Sequence, residues 1–187
     1  MIDMNEVVKI EVIKLPKLYI IGKHIRYSDE ALNKGDNRLP AFWEKCIKDD
    51  IFAPLESQTN YVYKTSHVSV FLDWYLGDGN FSCIVGMLMK DGATVPDGYT
   101  ARELAETEAA LLWVKCRALN ETRTVPFEST AEAIKGIGRD FSQMKWCIDL
   151  YDPSRSTTPD ENGYVILDCY IPLDCTGVIQ KTVMHSL

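Results

Sequence analysis

Three aspartates stand in stretches that are otherwise apolar and aromatic: Asp73 in "VFLDWY", Asp149 in "WCIDLY" and Asp168 in "VILDCY". Asp is depleted in strands, and a charge buried without a partner is costly. Side chains alternate between strand faces, so Phe71, Asp73 and Tyr75 share one face. By the same parity Cys147, Asp149 and Tyr151 share a face, as do Tyr164, Ile166, Asp168 and Tyr170. A few convergent carboxylates within aromatic walls have the composition of a small-molecule pocket, and aromatic rings around a carboxylate suit an organic cation. Two or three carboxylates converging there would raise one another's pKa, keeping at least one protonated until a cation arrives. Plainer readings stay open. Asp73 caps the following Gly-Asp-Gly turn, Asp149 pairs with an arginine such as Arg139, and tyrosines are common on exposed strand faces.

The elements that must position these residues are legible as periodicities. "KLYIIGKHIRY" (17–27) is a strand, and "LPAFWEKCIKDDIF" (39–52) is a helix with Leu39, Phe42, Trp43, Cys46 and Ile47 on one face and Pro40 in its first turn. "HVSVFLDWYLGDGNFSCIVGMLMK" (67–90) predicts two strands joined by a Gly-Asp-Gly turn, with Val68, Val70, Leu72 and Trp74 facing one way. "DGATVPDGY" (91–99) is a loop. The order then repeats: a strand at 109–118, and a helix at 128–144 with Ala131, Ile134, Ile137 and Phe141 on one side. A strand at 146–152, a turn-rich loop and a last strand at 164–173 follow. The prediction is an α+β fold of two strand–helix–strand–strand modules, of the kind called SHS2-like, within one domain over 1–187. Module one covers about 6–92, module two about 99–173, and 174–187 is a tail. The apolar strand faces (Val68, Val70, Leu72; Trp146, Ile148, Leu150) are expected beneath the helices, with the acidic–aromatic faces turned away from them.

Composition narrows the partners. The chain has 187 residues and a net charge of −7, with 46% hydrophobic and 25% charged residues, the balance of a soluble globular protein. Lys and Arg do not cluster into the basic face that phosphate contacts need, so no direct nucleic-acid partner is expected. No segment approaches a membrane span, and the acidic N-terminus is unlike a signal peptide. The six cysteines, Cys46, Cys83, Cys116, Cys147, Cys169 and Cys175, show no CxxC and no His at ligand spacing. Reduced thiols in a cytoplasmic protein are therefore expected, with no metal and no cofactor. His24, His67 and His185 have no acid or nucleophile at a recognisable spacing. Trp43 sits at the border of its helix's apolar face, where it lines either core or pocket.

The ordered motifs "LYIIGKHIRYSDE", "LPAFWEKC", "VSVFLDWYLGDGNFSCIVGMLM", "VPDGYTARELAETEAALLWVKC", "CIDLYDPS" and "LDCYIPL" resemble the GyrI-like effector-binding domains of AraC-type and MerR-type transcription regulators. The stand-alone, integron-associated (Cass2-like) branch is the best match. The resemblance spans about residues 6 to 173. It implies a pseudo-twofold with a central ligand groove, and binding of amphipathic, cationic aromatic compounds. It also places the family's groove-floor glutamate at Asp149, one methylene shorter here. With no helix-turn-helix segment before residue 17 or after 173, the chain is expected to act as a sensor or scavenger of a cationic or aromatic small molecule. The ligand residues expected are Asp149, Tyr151, Cys147, Asp73, Phe71, Tyr75, Asp168, Tyr170, Tyr164, Trp43 and Trp113. Some relatives hydrolyse cyclopropane-bearing compounds. In that alternative Asp149 or Glu106 acts as general base, with Tyr151 or Trp113 orienting substrate. A second alternative is inhibition of a basic, topoisomerase-like protein partner.

Overall fold

A computed structural model describes residues 5–28, 30–31, 34–117, 127–140 and 144–173. The strands are β1 (Glu6–Leu15), β2 (Leu18–Ser28), β3 (His67–Leu72), β4 (Asn80–Met89), β5 (Thr100–Leu104), β6 (Thr107–Arg117), β7 (Trp146–Tyr151) and β8 (Tyr164–Pro172). The helices are α1 (Leu39–Lys48), α2 (Ala53–Glu56), α3 (Phe127–Gly136) and α4 (Pro153–Ser156). All strands join one antiparallel sheet in the order β1-β6-β8-β7-β3-β4-β2-β5. The α+β class is as expected from the sequence. The expectations on Phe141, Cys175, His185 and the tail 174–187 lie outside the described residues.

The connections force this sheet to curl. Only Pro16 and Lys17 separate β1 from β2, yet these strands stand first and seventh in the order. Six strand spacings of about 4.8 Å would put them ~29 Å apart in a flat sheet. A two-residue link reaches only about 10 Å. The same holds for β5 and β6, joined through Ala105 and Glu106 at the eighth and second places. Both ends of the sheet therefore meet, and Leu15, Leu18, Leu104 and Ala109 from the two links pack into one inner core with Ile20, Val70, Ile84 and Ile148. Gly22 and Gly86 face each other across β2 and β4. A Cβ on Gly86 would lie 2.0 Å from the Ile21 carbonyl oxygen, and one on Gly22 2.1 Å from that of Val85, so the backbones approach as closely as they do only with glycine at both places.

Helices α1, α2 and α3 cover the outer face. Residues of α1, α2 and the turn between them (Cys46, Ile51, Phe52, Leu55) pack on Ile21, Cys83, Val85, Met87 and Met89. Ile134 of α3 packs on Ala110, Leu112, Cys169 and Ile171. This reverses one expectation. Val68, Val70, Leu72, Trp146, Ile148 and Leu150 point inward, away from the helices, while Phe71, Cys147 and Tyr151 lie on the helix-covered side. The reason is the curl: the sheet packs its inner face largely against itself, and the one-turn α4 reaches that side through Arg155.

Three element boundaries also differ. The first long helix ends at Lys48, where Asp50 turns left-handed (φ 50°) and the Ile51 N–H donates to the Cys46 carbonyl, a Schellman-like stop. Its expected stripe loses Ile47, which is 63% exposed. β3 stops at Leu72 because Asp73 adopts φ 71°, and Trp74–Leu76 forms a 3-10 turn, so Asp73, Trp74 and Tyr75 are not on the strand. The helix expected over 128–144 is α3, ending at Gly136. Finally, β1 and β5, which the periodicities did not single out, complete the two edges.

Candidate functional site

Register across the second half of the sheet places Lys9, Trp113, Asp168 and Leu150 in one row of the inner face. Asp168 is 4% exposed. Its partner comes from the segment that follows β7. Asp152 accepts hydrogen bonds from the Ser154 N–H and hydroxyl, and Pro153 sits at the first helical position, so "DPSR" folds as the one-turn α4. That turn aims Arg155 back across the sheet. Its Nε and Nη2 donate to the two Asp168 oxygens at 3.3 and 2.5 Å, and Nη2 also lies 3.0 Å from Asp152 Oδ2. The Arg155 guanidinium stands 5.2 Å from the Trp113 ring centroid, and the Lys9 ammonium 4.2 Å from it. Beside them, the hydroxyl of buried Tyr170 pairs with that of Tyr63 at 3.4 Å, and Tyr63 is 42% exposed. Further along the same face, Lys115 and Arg117 lie over the Tyr164 ring.

The electrostatics follow from this packing. Burial raises the Asp168 carboxyl above its ordinary value, and Arg155, the largest opposing influence, does not cancel it. The hydrogen bond to Asp168 raises Arg155 further. Burial, with help from the Tyr63 hydroxyl, pushes Tyr170 far up, so it stays a neutral hydrogen-bonding group. Asp152 is held low: burial acts to raise it, and the Ser154 hydrogen bonds with Arg155 outweigh that.

Asp149 is elsewhere. It pairs with Ser69 of β3 and Cys169 of β8, on the outer face, and is 2% exposed. The Cys147 thiol donates to Asp149 Oδ1 at 3.8 Å and lies 3.6 Å from the Cys169 sulfur. Trp43 of α1 closes this side, its Nε1–H donating to Ser69 Oγ at 2.9 Å and its ring meeting Tyr151 edge-on at 5.0 Å. The Cys169 thiol is raised well above its ordinary value by its hydrogen bond with Cys147 and by burial. Cys147 is also raised: the Cys169 contact acts to lower it, but burial and the Asp149 charge win.

Asp73 forms a third centre, between Arg102 Nη2 at 3.2 Å and Arg26 Nη1 at 3.9 Å. The three aspartates expected to converge thus stand apart: Asp168 on the inner face, Asp149 on the outer, Asp73 in the loop beyond β3. Asp149 pairs across the middle of β3 while Asp73 follows its end, four residues or about 13 Å along the strand from Ser69. Of the residues singled out from sequence, the structure gathers Asp168, Tyr170 and Trp113, with Tyr164 near them, on one face. Asp149, Cys147, Tyr151, Phe71 and Trp43 gather on the other. The side chain of Tyr75 lies outside the described ones. Glu106 sits in the β5–β6 link and Trp113 on the inner face, while Asp149 and Tyr151 share the outer face, so of the hydrolase alternatives only Asp149 with Tyr151 is brought to one face. Sequence reasoning missed Arg155, Lys9 and Tyr63. The Asp-Pro start of α4 was a usable signal for Arg155; nothing in the 57–66 segment marked Tyr63.

The sequence itself matches no family model and no curated protein. Solved structures do match in fold. A Staphylococcus aureus MU50 protein of inferred role in bacterial transcription regulation aligns over 88% of this chain and 97% of its own, with a TM-score of 0.56 and 14% identity. SAV2435 bound to tetraphenylphosphonium covers 89% and 94%, with a TM-score of 0.60 and 14% identity. An integron cassette protein from the mobile metagenome of Vibrio cholerae covers 91% and 99%, with a TM-score of 0.50 and 9% identity. The chain shares its fold with these proteins, and that fold is the GyrI-like one expected from the ordered motifs. Among the described residues, no helix is long and apolar enough to cross a membrane.

Proposed function

We propose that the protein binds an amphipathic aromatic cation on the inner face, with Asp168 as the counter-ion, Trp113 as the stacking wall and Tyr170 with Tyr63 beside them. The observation that carries this reading is Arg155. The chain's own guanidinium already lies between a buried carboxylate and an indole face, which is the environment an organic cation requires. Arg155 also has a second acceptor in Asp152, so it can yield Asp168 to a ligand without losing its charge partner. The structure of SAV2435 with tetraphenylphosphonium supports the choice of ligand class at the level of fold.

The symmetric strand order supports the two-module description. Within each half the order runs β6-β8-β7 and β2-β4-β3, meeting at the β7–β3 pair, and β1 and β5 flank opposite ends. In this reading modules of about 6–92 and 99–173 exchange their edge strands, and the ligand groove lies along the second module's inner face. The protein acts as a sensor or scavenger of such compounds in the cytoplasm.

The test is a fluorescence titration with tetraphenylphosphonium, using Trp113 quenching and calorimetry. Removing the charge with Asp168→Asn is expected to weaken binding by roughly 30-fold, the value of a charge-assisted contact of about 2 kcal/mol. Trp113→Ala is expected to weaken it by about tenfold, through loss of the cation–π contact. Unchanged affinity in both variants would sink the proposal.

A further inference from the structure

We propose that Cys147, Asp149 and Cys169 form a site on the outer face for one thiophilic divalent cation of the zinc class. The three side chains each offer one ligand atom, and these atoms lie within 4.8 Å of one another. Their spacing is close to that of a loaded site. Tetrahedral zinc with bonds of about 2.3 Å to sulfur and about 2.0–2.2 Å to oxygen holds two sulfurs about 3.8 Å apart, and a sulfur and an oxygen about 3.6 Å apart. The two sulfurs here are 3.6 Å apart, and Cys147 Sγ is 3.8 Å from Asp149 Oδ1. Those two edges are within a few tenths of an ångström of the tetrahedral values, and the third, from Cys169 Sγ to the Asp149 carboxylate, is within 4.8 Å.

The frame around these atoms is stiff. Asp149 and Cys169 are directly paired across β7 and β8, and Cys147 lies two residues back on the same face of β7. All three therefore stand on central strands rather than loops, which favours a defined geometry. On the other flank Ser69 pairs with Asp149 in the sheet and is held by Trp43. The donor set selects the metal class: two thiolates with one carboxylate favour zinc-like d10 cations over magnesium or calcium. Loading exchanges the two S–H protons for the cation and releases them to solvent, with no change of oxidation state. Three protein ligands leave a fourth position for water, reached past Cys147, which is only half-buried. The inner-face ligand site lies across the sheet and shares none of these side chains.

The full-length, reduced chain is titrated with Co2+ as a spectroscopic stand-in for zinc. The expected result is one equivalent bound, with sulfur-to-metal charge-transfer absorption that Zn2+ abolishes by competition. Cys147→Ser and Cys169→Ser lose most of that absorption, while Cys46→Ser keeps it. Asp149→Asn retains the thiolate band and binds more than about tenfold more weakly. In the unsubstituted chain, Zn2+ slows alkylation of Cys147 and Cys169 relative to Cys116, as mapped by peptide mass, a readout that needs no variant to fold. Absence of both the band and the protection overturns the proposal. So does a band that survives both cysteine substitutions, or a Cys147–Cys169 disulfide as the resting state.

Discussion

Asp149 and Asp168 sit on neighbouring strands one residue out of step, and the sheet sends them to opposite faces. Asp149 is opposite Cys169, and Asp168 opposite Leu150. Both are buried, at 2% and 4% exposure. Yet one lives among thiols under a tryptophan-capped helix, and the other beneath an arginine, an indole and a tyrosine pair. The residue type is the same; the neighbours assigned by register surround one with thiols and the other with an arginine and aromatic rings, which is why the two proposals give them a metal ligand's role and a counter-ion's role. What a buried carboxylate does is thus set by the strand beside it.

The strongest way to break this contrast is to disturb the sheet that carries both faces. Gly86→Ala puts a Cβ against the Ile21 carbonyl at 2.0 Å. The substitution is expected to cost about 3 kcal/mol, the upper end of overpacking penalties, read as a lower urea midpoint together with loss of cation binding. A variant as stable as the parent would show that the close approach of β2 and β4 is dispensable.

Next in size is Arg155→Ala, which leaves Asp168 buried without its bidentate partner. Removing the partly exposed partner of a buried carboxylate is expected to destabilise by about 2 kcal/mol at neutral pH. The sign of its pH dependence is definite. A carboxyl whose folded pKa is raised, as burial raises Asp168, opposes folding while ionised, and that cost is relieved as pH falls through the folded value. Denaturation curves of parent and variant should therefore converge on acidification; curves that stay parallel would deny Asp168 this role.

A smaller effect sharpens the comparison in the unsubstituted protein. Cation binding needs ionised Asp168, so affinity for tetraphenylphosphonium should decline as pH falls, with a midpoint above the ordinary aspartate value because of burial. The least effect is expected from Asp149→Asn. Across the sheet from the ligand it should change tetraphenylphosphonium affinity by less than about twofold, as separated sites do. A large loss there would move the cation site to the outer face.

Much of the fold was legible along the chain. The β-branched run at 17–27, the alternation at 67–72 and 146–151, and the helical stripe from Leu39 to Cys46 each formed the element that their period implies. The edge strands escaped notice for a physical reason. β1 has Val8 and Val12 both exposed and a bulge between Val7 and Lys9, so its burial does not alternate cleanly. The Asp73 turn escaped because a left-handed aspartate ends β3 before the Gly-Asp-Gly signal begins. Of the site, Asp168, Trp113 and Tyr170 were recognisable as chemistry, whereas Arg155, Lys9 and Tyr63 reach it only through neighbouring segments.

Sequence alone determined which side chains share a face within each strand, since a period of two is a local property of extended backbone. It could not determine how one strand's parity meets the next, because register is set by pairing, and a slip of one residue exchanges the faces. That choice, and the curl that turned the all-apolar face inward, put Asp168 with Arg155 and Asp149 with two cysteines. The tertiary structure decided it, through short links that only a curled sheet can span.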